Sequence, residues 1–262
     1  MDTSIKKIKV TDLAQSCIDH ITHTINFSTV AITGHNDKID PLIHLHGSGT
    51  LVSIGNKYGI LTAQHVWHAI NNSRDVCTIS ISCYGKNRWV FDKKSYFIPY
   101  NVNENIDICF LEIPVTILGR LKAISSFIPL NKCLLPPAIN YCLLAFAGFP
   151  SESMPVEQIA YEPIYYFFSK PVLTQDDYEM LIELNSELHP STIQDFGGLS
   201  GGGVWGFLLQ YSNIDNGVCL KLDDRDTYLI GVCYYQMPLE NGKGRIKAVG
   251  PMAINKLLIN VK

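Results

Sequence analysis

A chain of 262 residues that is 47% hydrophobic and 17% charged can bury roughly 70–75% of its unfolded surface, which excludes an intrinsically disordered protein. Its 21 Lys and Arg against 24 Asp and Glu leave a net charge of −3, without the basic excess that binds nucleic acid or an anionic membrane. The length admits one or two domains.

Residues 1–30 carry a charged or polar side chain every few positions, and no apolar h-region follows Lys6 and Lys7, so no signal peptide is expected. The longest apolar runs, such as 141–147, fall far short of the ~20 residues that span a bilayer. A soluble, cytoplasmic chain with neither a membrane nor a nucleic-acid partner is expected. Leu13, Cys17 and Ile21, with Ala14, Ile18 and Ile25, recur at helical spacing behind Thr11 and Asp12, predicting an amphipathic helix over 11–25.

Beyond it the period becomes that of strands. Segments 27–33, 44–54, 58–63, 76–83, 88–99 and 106–113 are rich in Val, Ile, Thr and aromatics, separated by Gly, Asn, Asp or Lys turn signals. Six strands at this spacing predict a small antiparallel barrel or sandwich. Residues 114–137 lack a clean period and begin and end with proline, as a crossing segment between two units would. A second set follows at 141–148, 158–169, 180–184, 203–210, 218–222 and 228–235, and 252–260 closes the chain as a helix on Ile254, Leu257 and Leu258. No internal repeat of sequence is visible, so two six-strand halves would repeat in structure alone. The eight cysteines include no CxxC pair, and Cys77, Cys83, Cys109, Cys142 and Cys233 flank or sit within strand-like runs. Free structural thiols are expected.

The stretch richest in chemistry is Phe196-Gly197-Gly198-Leu199-Ser200-Gly201-Gly202-Gly203. A serine hydroxyl becomes a nucleophile when a base takes its proton and N–H groups hold the oxyanion, and glycines let the backbone turn those groups inward. Gly198 to Gly202 also satisfies the G-x-S-x-G elbow of α/β-hydrolases, but that fold places its histidine after the serine. All eight histidines, from His20 to His189, precede Ser200, and the elbow reading fails.

The order His, Asp, Ser is available instead. Gly47-Ser48-Gly49-Thr50-Leu51-Val52, then Gly59-Ile60-Leu61-Thr62-Ala63-Gln64-His65-Val66, resembles the glycine-rich strand and the Leu-Thr-Ala-Ala-His-Cys segment of trypsin-like serine peptidases. Asn105-Ile106-Asp107-Ile108-Cys109-Phe110 is similar to that family's Asp-Ile-Ala-Leu-Leu strand. His65, Asp107 and Ser200 are 42 and 93 residues apart, close to the family's spacing of about 45 and about 93. Ala147-Gly148-Phe149-Pro150 resembles a Gly-Tyr-Pro turn of bacterial members, and Tyr228 to Tyr234 the substrate-lining strand after the serine. The resemblance covers about residues 27–260.

It implies an all-β fold of two antiparallel six-stranded β-barrels, chymotrypsin-like, with an N-terminal and a C-terminal helix. The division would be a helical extension at 1–26, a first barrel at 27–113, a crossing at 114–137, and a second barrel with the closing helix at 138–262. It implies serine endopeptidase chemistry on a protein or peptide substrate: Ser200 as nucleophile, His65 as base, Asp107 orienting the imidazole, and the N–H groups of Gly198 and Ser200 as the oxyanion hole. Gln194, Asp195, Tyr234, Tyr235 and Gln236 would contact substrate. A bacterial-type intracellular member would serve in a regulated stress or phage-defence pathway. The other reading is a silent trypsin-fold binding module that keeps the triad as a relic.

Two departures from the family matter. Leu199 stands where secreted trypsins have the aspartate that receives a clipped N-terminus, so activation by clipping is not expected. Val66 replaces the cysteine after the histidine, in keeping with a reducing compartment. Control would then come from narrow specificity or from a regulatory protein partner on the 11–25 helix, whose deletion is expected to leave folding intact. His44 and His46 form an H-x-H, and His65 and His68 an H-x-x-H, but no nearby Cys, Asp or Glu completes a metal set, and no cofactor or metal is expected. Tyr165, Tyr166, Phe167 and Phe168 read as strand core, not as a platform for stacking bases.

Overall fold

The computed structural model describes residues 15–36, 45–85, 87–93, 97–130, 142–150, 163–168, 172–173, 179–183, 197–208, 210–214, 217–221, 227–240 and 243–261. The first unit contains β1 (Thr29–His35), β2 (Leu45–Ile54), β3 (Lys57–Thr62), β4 (Thr78–Ser82), β5 (Arg88–Asp92), β6 (Ile98–Asn101) and β7 (Cys109–Glu112), with the short β8 (Ile128–Pro129) beside β2. The second contains β9 (Cys142–Gly148), β10 (Ile164–Phe168), β11 (Val172–Leu173), β12 (Glu179–Glu183), β13 (Gly203–Leu208), β16 (Thr227–Glu240) and β17 (Lys243–Val249). A separate hairpin pairs β14 (Gln210–Ile214) with β15 (Gly217–Lys221).

Both units have one topology. The first sheet runs β5-β4-β1-β2-β3-β7-β6, and β5 and β6, at its two ends, follow one another in the chain. Counted as one bent strand they close a six-stranded ring, which removes the open edges that a flat sheet would leave unpaired. The second sheet runs β10-β9-β13-β16-β17-β12-β11, and β10 and β11 are likewise consecutive. The predicted all-β fold of two antiparallel barrels is therefore present, and the single strand expected at 88–99 is the closing strand in two halves. Its first half keeps a period of two: Trp89 and Phe91 pack on the first-barrel core while Arg88, Val90 and Asp92 are exposed.

Other expectations need correction. Of the segment expected as a crossing at 114–137, residues 114–130 are described, and they form α3 (Val115–Lys122) and β8; Ile117 and Leu121 are buried one turn apart, and Pro114 stands at the N-cap without a side-chain hydrogen bond. A second short helix, α2 (Gln64–Asn72), interrupts the first barrel on buried Val66, Trp67 and Ile70. The strand expected at 218–222 is β15, which pairs only with β14, and the sixth barrel strand is β17 instead. That strand hides in the sequence because Arg245 and Lys247 alternate with buried Gly244, Ile246 and Ala248, so its charges mask a regular inward face.

Helix α1 (Gln15–Ser28) runs directly into β1. It buries Cys17, Ile21 and Ile25 at 2%, 0% and 0% exposure, the last two in the same cluster as Leu61 and Phe110 of the first barrel, Trp205 and Val232 of the second, and Ile254 of α4 (Pro251–Val261). The expectation that this helix is separable from the folding unit is thus corrected: its apolar stripe is spent inside the chain's own core, leaving Gln15, Ser16, Asp19 and His23 outward. At the other end Lys57 Nζ donates to the Val261 carbonyl (2.5 Å), satisfying a group in the last turn of α4 that has no helical partner. Replacing Ile25 by Ala should cost about 2–5 kcal/mol in urea unfolding; a loss below about 0.5 kcal/mol, the scale of a surface change, would contradict the placement of α1 in the core.

Candidate active site

Asp107 lies in the turn before β7, where the Ile108 N–H donates to the Ile106 carbonyl (2.8 Å), a three-residue γ-turn with Asp107 at its apex. The sequence reading set it on the strand itself; it stands one step outside, 26% exposed, beside fully buried Ile108 and Cys109. His65 is the second residue of α2, whose N-cap, Ala63, has no side chain able to cap. Asp107 supplies the missing acceptor: its Oδ1 accepts the His65 backbone N–H (2.9 Å) and its Oδ2 accepts from His65 Nδ1 (2.5 Å). One carboxylate thus satisfies an orphan amide at a helix N-terminus, where a negative charge is favoured, and fixes the ring. A carboxylate only accepts, so Nδ1 carries the proton and Nε2 of the neutral ring is left as an acceptor. The His65 side chain is 49% exposed.

Ser200 sits between two glycines in left-handed conformations, Gly198 (φ 87°) and Gly201 (φ 91°). The turn is held from the first barrel by Ser48, fully buried on β2. Its backbone N–H donates to the Ser200 carbonyl (2.7 Å). Its hydroxyl donates to the Gly198 carbonyl (2.7 Å) and accepts from the Phe149 N–H (2.8 Å), and its carbonyl accepts from the Thr62 hydroxyl (2.7 Å). A Cβ at Gly201 would lie 2.0 Å from the Ser48 oxygen, so the close approach requires glycine as much as the backbone angle does. From the second barrel, the Gly201 N–H donates to the Cys233 carbonyl (2.7 Å) and the Cys233 N–H to the Gly202 carbonyl (2.8 Å). Among the described residues the N–H groups of Gly198 and Ser200 donate to no acceptor.

The Ser200 hydroxyl donates to the Tyr234 carbonyl (3.1 Å) and makes no hydrogen bond to His65. The ladder between β16 and β17 slips between Cys233 and Tyr235, a bulge that re-aims Tyr234. Its phenol donates to Glu179 Oε1 on β12 (2.6 Å); burial first, then that bond and the charges of Glu179 and Asp107, push the Tyr234 pKa up. Tyr235 is 52% exposed opposite Lys247, and Gln236 is half-buried. Gln194 and Asp195 lie outside the described residues.

Sequence reasoning missed Ser48, His46 and Glu179 as neighbours of this site. The signal for Ser48 was a hydroxyl between two glycines; nothing in the sequence pointed to the other two. Among the described residues no group of three or more His, Cys, Asp or Glu is placed to hold a metal ion, and His44 lies outside them. His46 Nε2 donates to the Phe149 carbonyl (2.6 Å) and Nδ1 lies 3.4 Å from Thr33 Oγ1. Burial, outweighing the Phe149 bond, holds its pKa below 6.5.

No protein-family model matches the chain, and no curated protein matches it. Solved structures do. The protease Anisep from Arthrobacter nicotinovorans aligns over 92% of this chain and 97% of its own, at 15% identity and a TM-score of 0.48. The thermostable serine protease AL20 from an extremophilic microorganism aligns over 90% of this chain and 98% of its own, at 12% identity and a TM-score of 0.51. The two-barrel fold of this chain is thus shared, over 90% of its length, with AL20.

Ser48→Ala would leave the Phe149 N–H and the Gly198 carbonyl without their partner, at about 1–3 kcal/mol each. The urea midpoint should fall at unchanged m, and a wild-type midpoint would contradict the fastening role. His46 is neutral when folded, whereas the unfolded ring takes up a proton near pH 6.5; its contribution is full above that pH and is lost as pH falls toward the folded value. The urea midpoint of the wild type should therefore drop between pH 7.5 and about 5.5 by more than that of His46→Gln, and equal drops would contradict this assignment.

Proposed function

We propose that this chain is a serine endopeptidase, with Ser200 as nucleophile, His65 as general base and acid, and Asp107 as the group that orients the imidazole and stabilises the imidazolium. The observation that carries the reading is the double grip of Asp107 on the His65 backbone and Nδ1, at 2.9 and 2.5 Å, which leaves Nε2 to receive a proton. Ser200 Oγ attacks a peptide carbonyl, His65 takes the hydroxyl proton and returns it to the leaving amine, and water releases the acyl group by the same steps. The N–H groups of Gly198 and Ser200 bind the oxyanion. Substrate contact at Tyr234, Tyr235 and Gln236, and at Gln194 and Asp195, rests on the family resemblance. On this reading the bond from Ser200 to the Tyr234 carbonyl is a resting arrangement, which the hydroxyl leaves for one toward His65 before it attacks.

That resting bond is also the one observation favouring a silent binding module. Turnover decides between the two. A reducing, cytoplasmic location is supported by the free thiols of Cys17, Cys77, Cys83, Cys109 and Cys233, of which burial pushes Cys83 up to about 11 and Cys109 and Cys233 up to about 12; no helix among the described residues is long and apolar enough to cross a membrane. A regulatory partner would meet the outward face of α1, and the stress or phage-defence setting rests on the family resemblance alone.

Peptide-library cleavage followed by mass spectrometry tests the reading. Wild type should cut at a defined residue class, Ser200→Ala should not cut, and Asp107→Asn should lose roughly 10⁴-fold in kcat. Cleavage by Ser200→Ala at the wild-type rate would overturn the proposal, and a wild type no faster than Ser200→Ala would favour the silent module.

A further inference from the structure

The oxyanion role proposed for Gly198 requires its N–H to keep one direction, yet glycine is the residue least able to hold itself. Three contacts restrict it. The carbonyl of Gly198 is fixed by the Ser48 hydroxyl (2.7 Å). Its Cα is backed by the His46 ring so closely that a Cβ there would lie 2.4 Å from Cδ2 and 2.9 Å from Nε2, with the Phe149 oxygen at 2.7 Å. With the carbonyl held, ψ places the amide nitrogen and φ, which stands at 87°, then sets the direction of its N–H; the ring against the Cα face limits both rotations.

His46 is itself held by both barrels. It is paired across the ladder with Thr33 of β1, whose hydroxyl lies 3.4 Å from Nδ1, and Nε2 donates to the Phe149 carbonyl of the second barrel (2.6 Å). Because a carbonyl only accepts, Nε2 carries the proton, and Nδ1 is the acceptor facing Thr33. The ring is therefore a wedge with a defined tautomer, bonded to one side of the turn and packed against the other.

We propose that His46 is a positioning residue for the oxyanion-binding turn: bonded to the Phe149 carbonyl and seated against the Cα of Gly198, its ring sets the direction of the Gly198 N–H. This rests on the endopeptidase reading, since it assigns His46 to the same site. A donor aimed at the oxyanion acts on the transition state and not on the bound substrate. Loss of the wedge thus lowers kcat and leaves KM nearly unchanged. Removing an oxyanion donor outright costs roughly 10²–10³-fold in kcat; misdirecting one is expected to cost less, about 10–100-fold.

The test compares wild type, His46→Ala and His46→Gln on the best peptide from library profiling, with the melting temperature of each recorded. The Gln side-chain amide can donate to the Phe149 carbonyl and fill part of the ring's space. His46→Ala should lower kcat with KM within about twofold, by the transition-state argument, and His46→Gln should restore most of the lost kcat. Should His46→Ala fail to fold, His46→Met, which fills the space without a donor, takes its place against His46→Gln. Wild-type kcat in the variant lacking a donor, a matching rise in KM, or a His46→Gln no faster than that variant would overturn the assignment. A wild type that cuts no peptide removes the endopeptidase reading itself, an outcome separate from a cutting wild type with an indifferent His46.

Discussion

The contact on which the site depends is the meeting of Ser48 with the Gly198–Gly201 turn. Four hydrogen bonds converge on that one buried residue, and three of its partners, Ser200, Gly198 and Phe149, belong to the second barrel. Buried polar groups in such a place are costly unless every one is paired, and here each group of Ser48 finds a partner. The consequence is geometric: the serine turn of one barrel is registered against the strand of the other that leads, through β3, into the histidine helix. Neither barrel could set the separation of Ser200 from His65 alone.

Asp107 adds the complementary restraint on the first barrel. A short helix beginning at a residue with no capping side chain borrows its cap from across the loop, and the same carboxylate holds the ring. Local helix energetics and imidazole orientation are thus one interaction. Both restraints are joined to a core to which α1, the two barrels and α4 all contribute. The leading helix belongs to that core through Ile21 and Ile25 and is a part of the fold.

What the sequence revealed, and what it hid, divides along physical lines. Inward-facing alternation and turn residues made the two sets of strands legible, and the order and spacing of His65, Asp107 and Ser200 made a candidate site legible, because nucleophilic chemistry allows few arrangements of those side chains. The helices at 64–72 and 115–122 were not legible: each is short, neither has a capping side chain at its start, and their periodicity covers barely two turns. The last barrel strand escaped because Arg245 and Lys247 occupy its outer face. The bonds of Ser48, His46 and Glu179 join residues far apart in the chain, and no local pattern encodes such partners.

The central claim is that Ser200 is an activated nucleophile, made so by a histidine that Asp107 orients. Reaction with a fluorophosphonate, followed by digestion and mass mapping of the labelled peptide, reads that property without knowledge of the substrate. One adduct is expected, on Ser200, absent in Ser200→Ala and slower to form in Asp107→Asn. An adduct on another residue, or a folded wild type that takes up none, would contradict it.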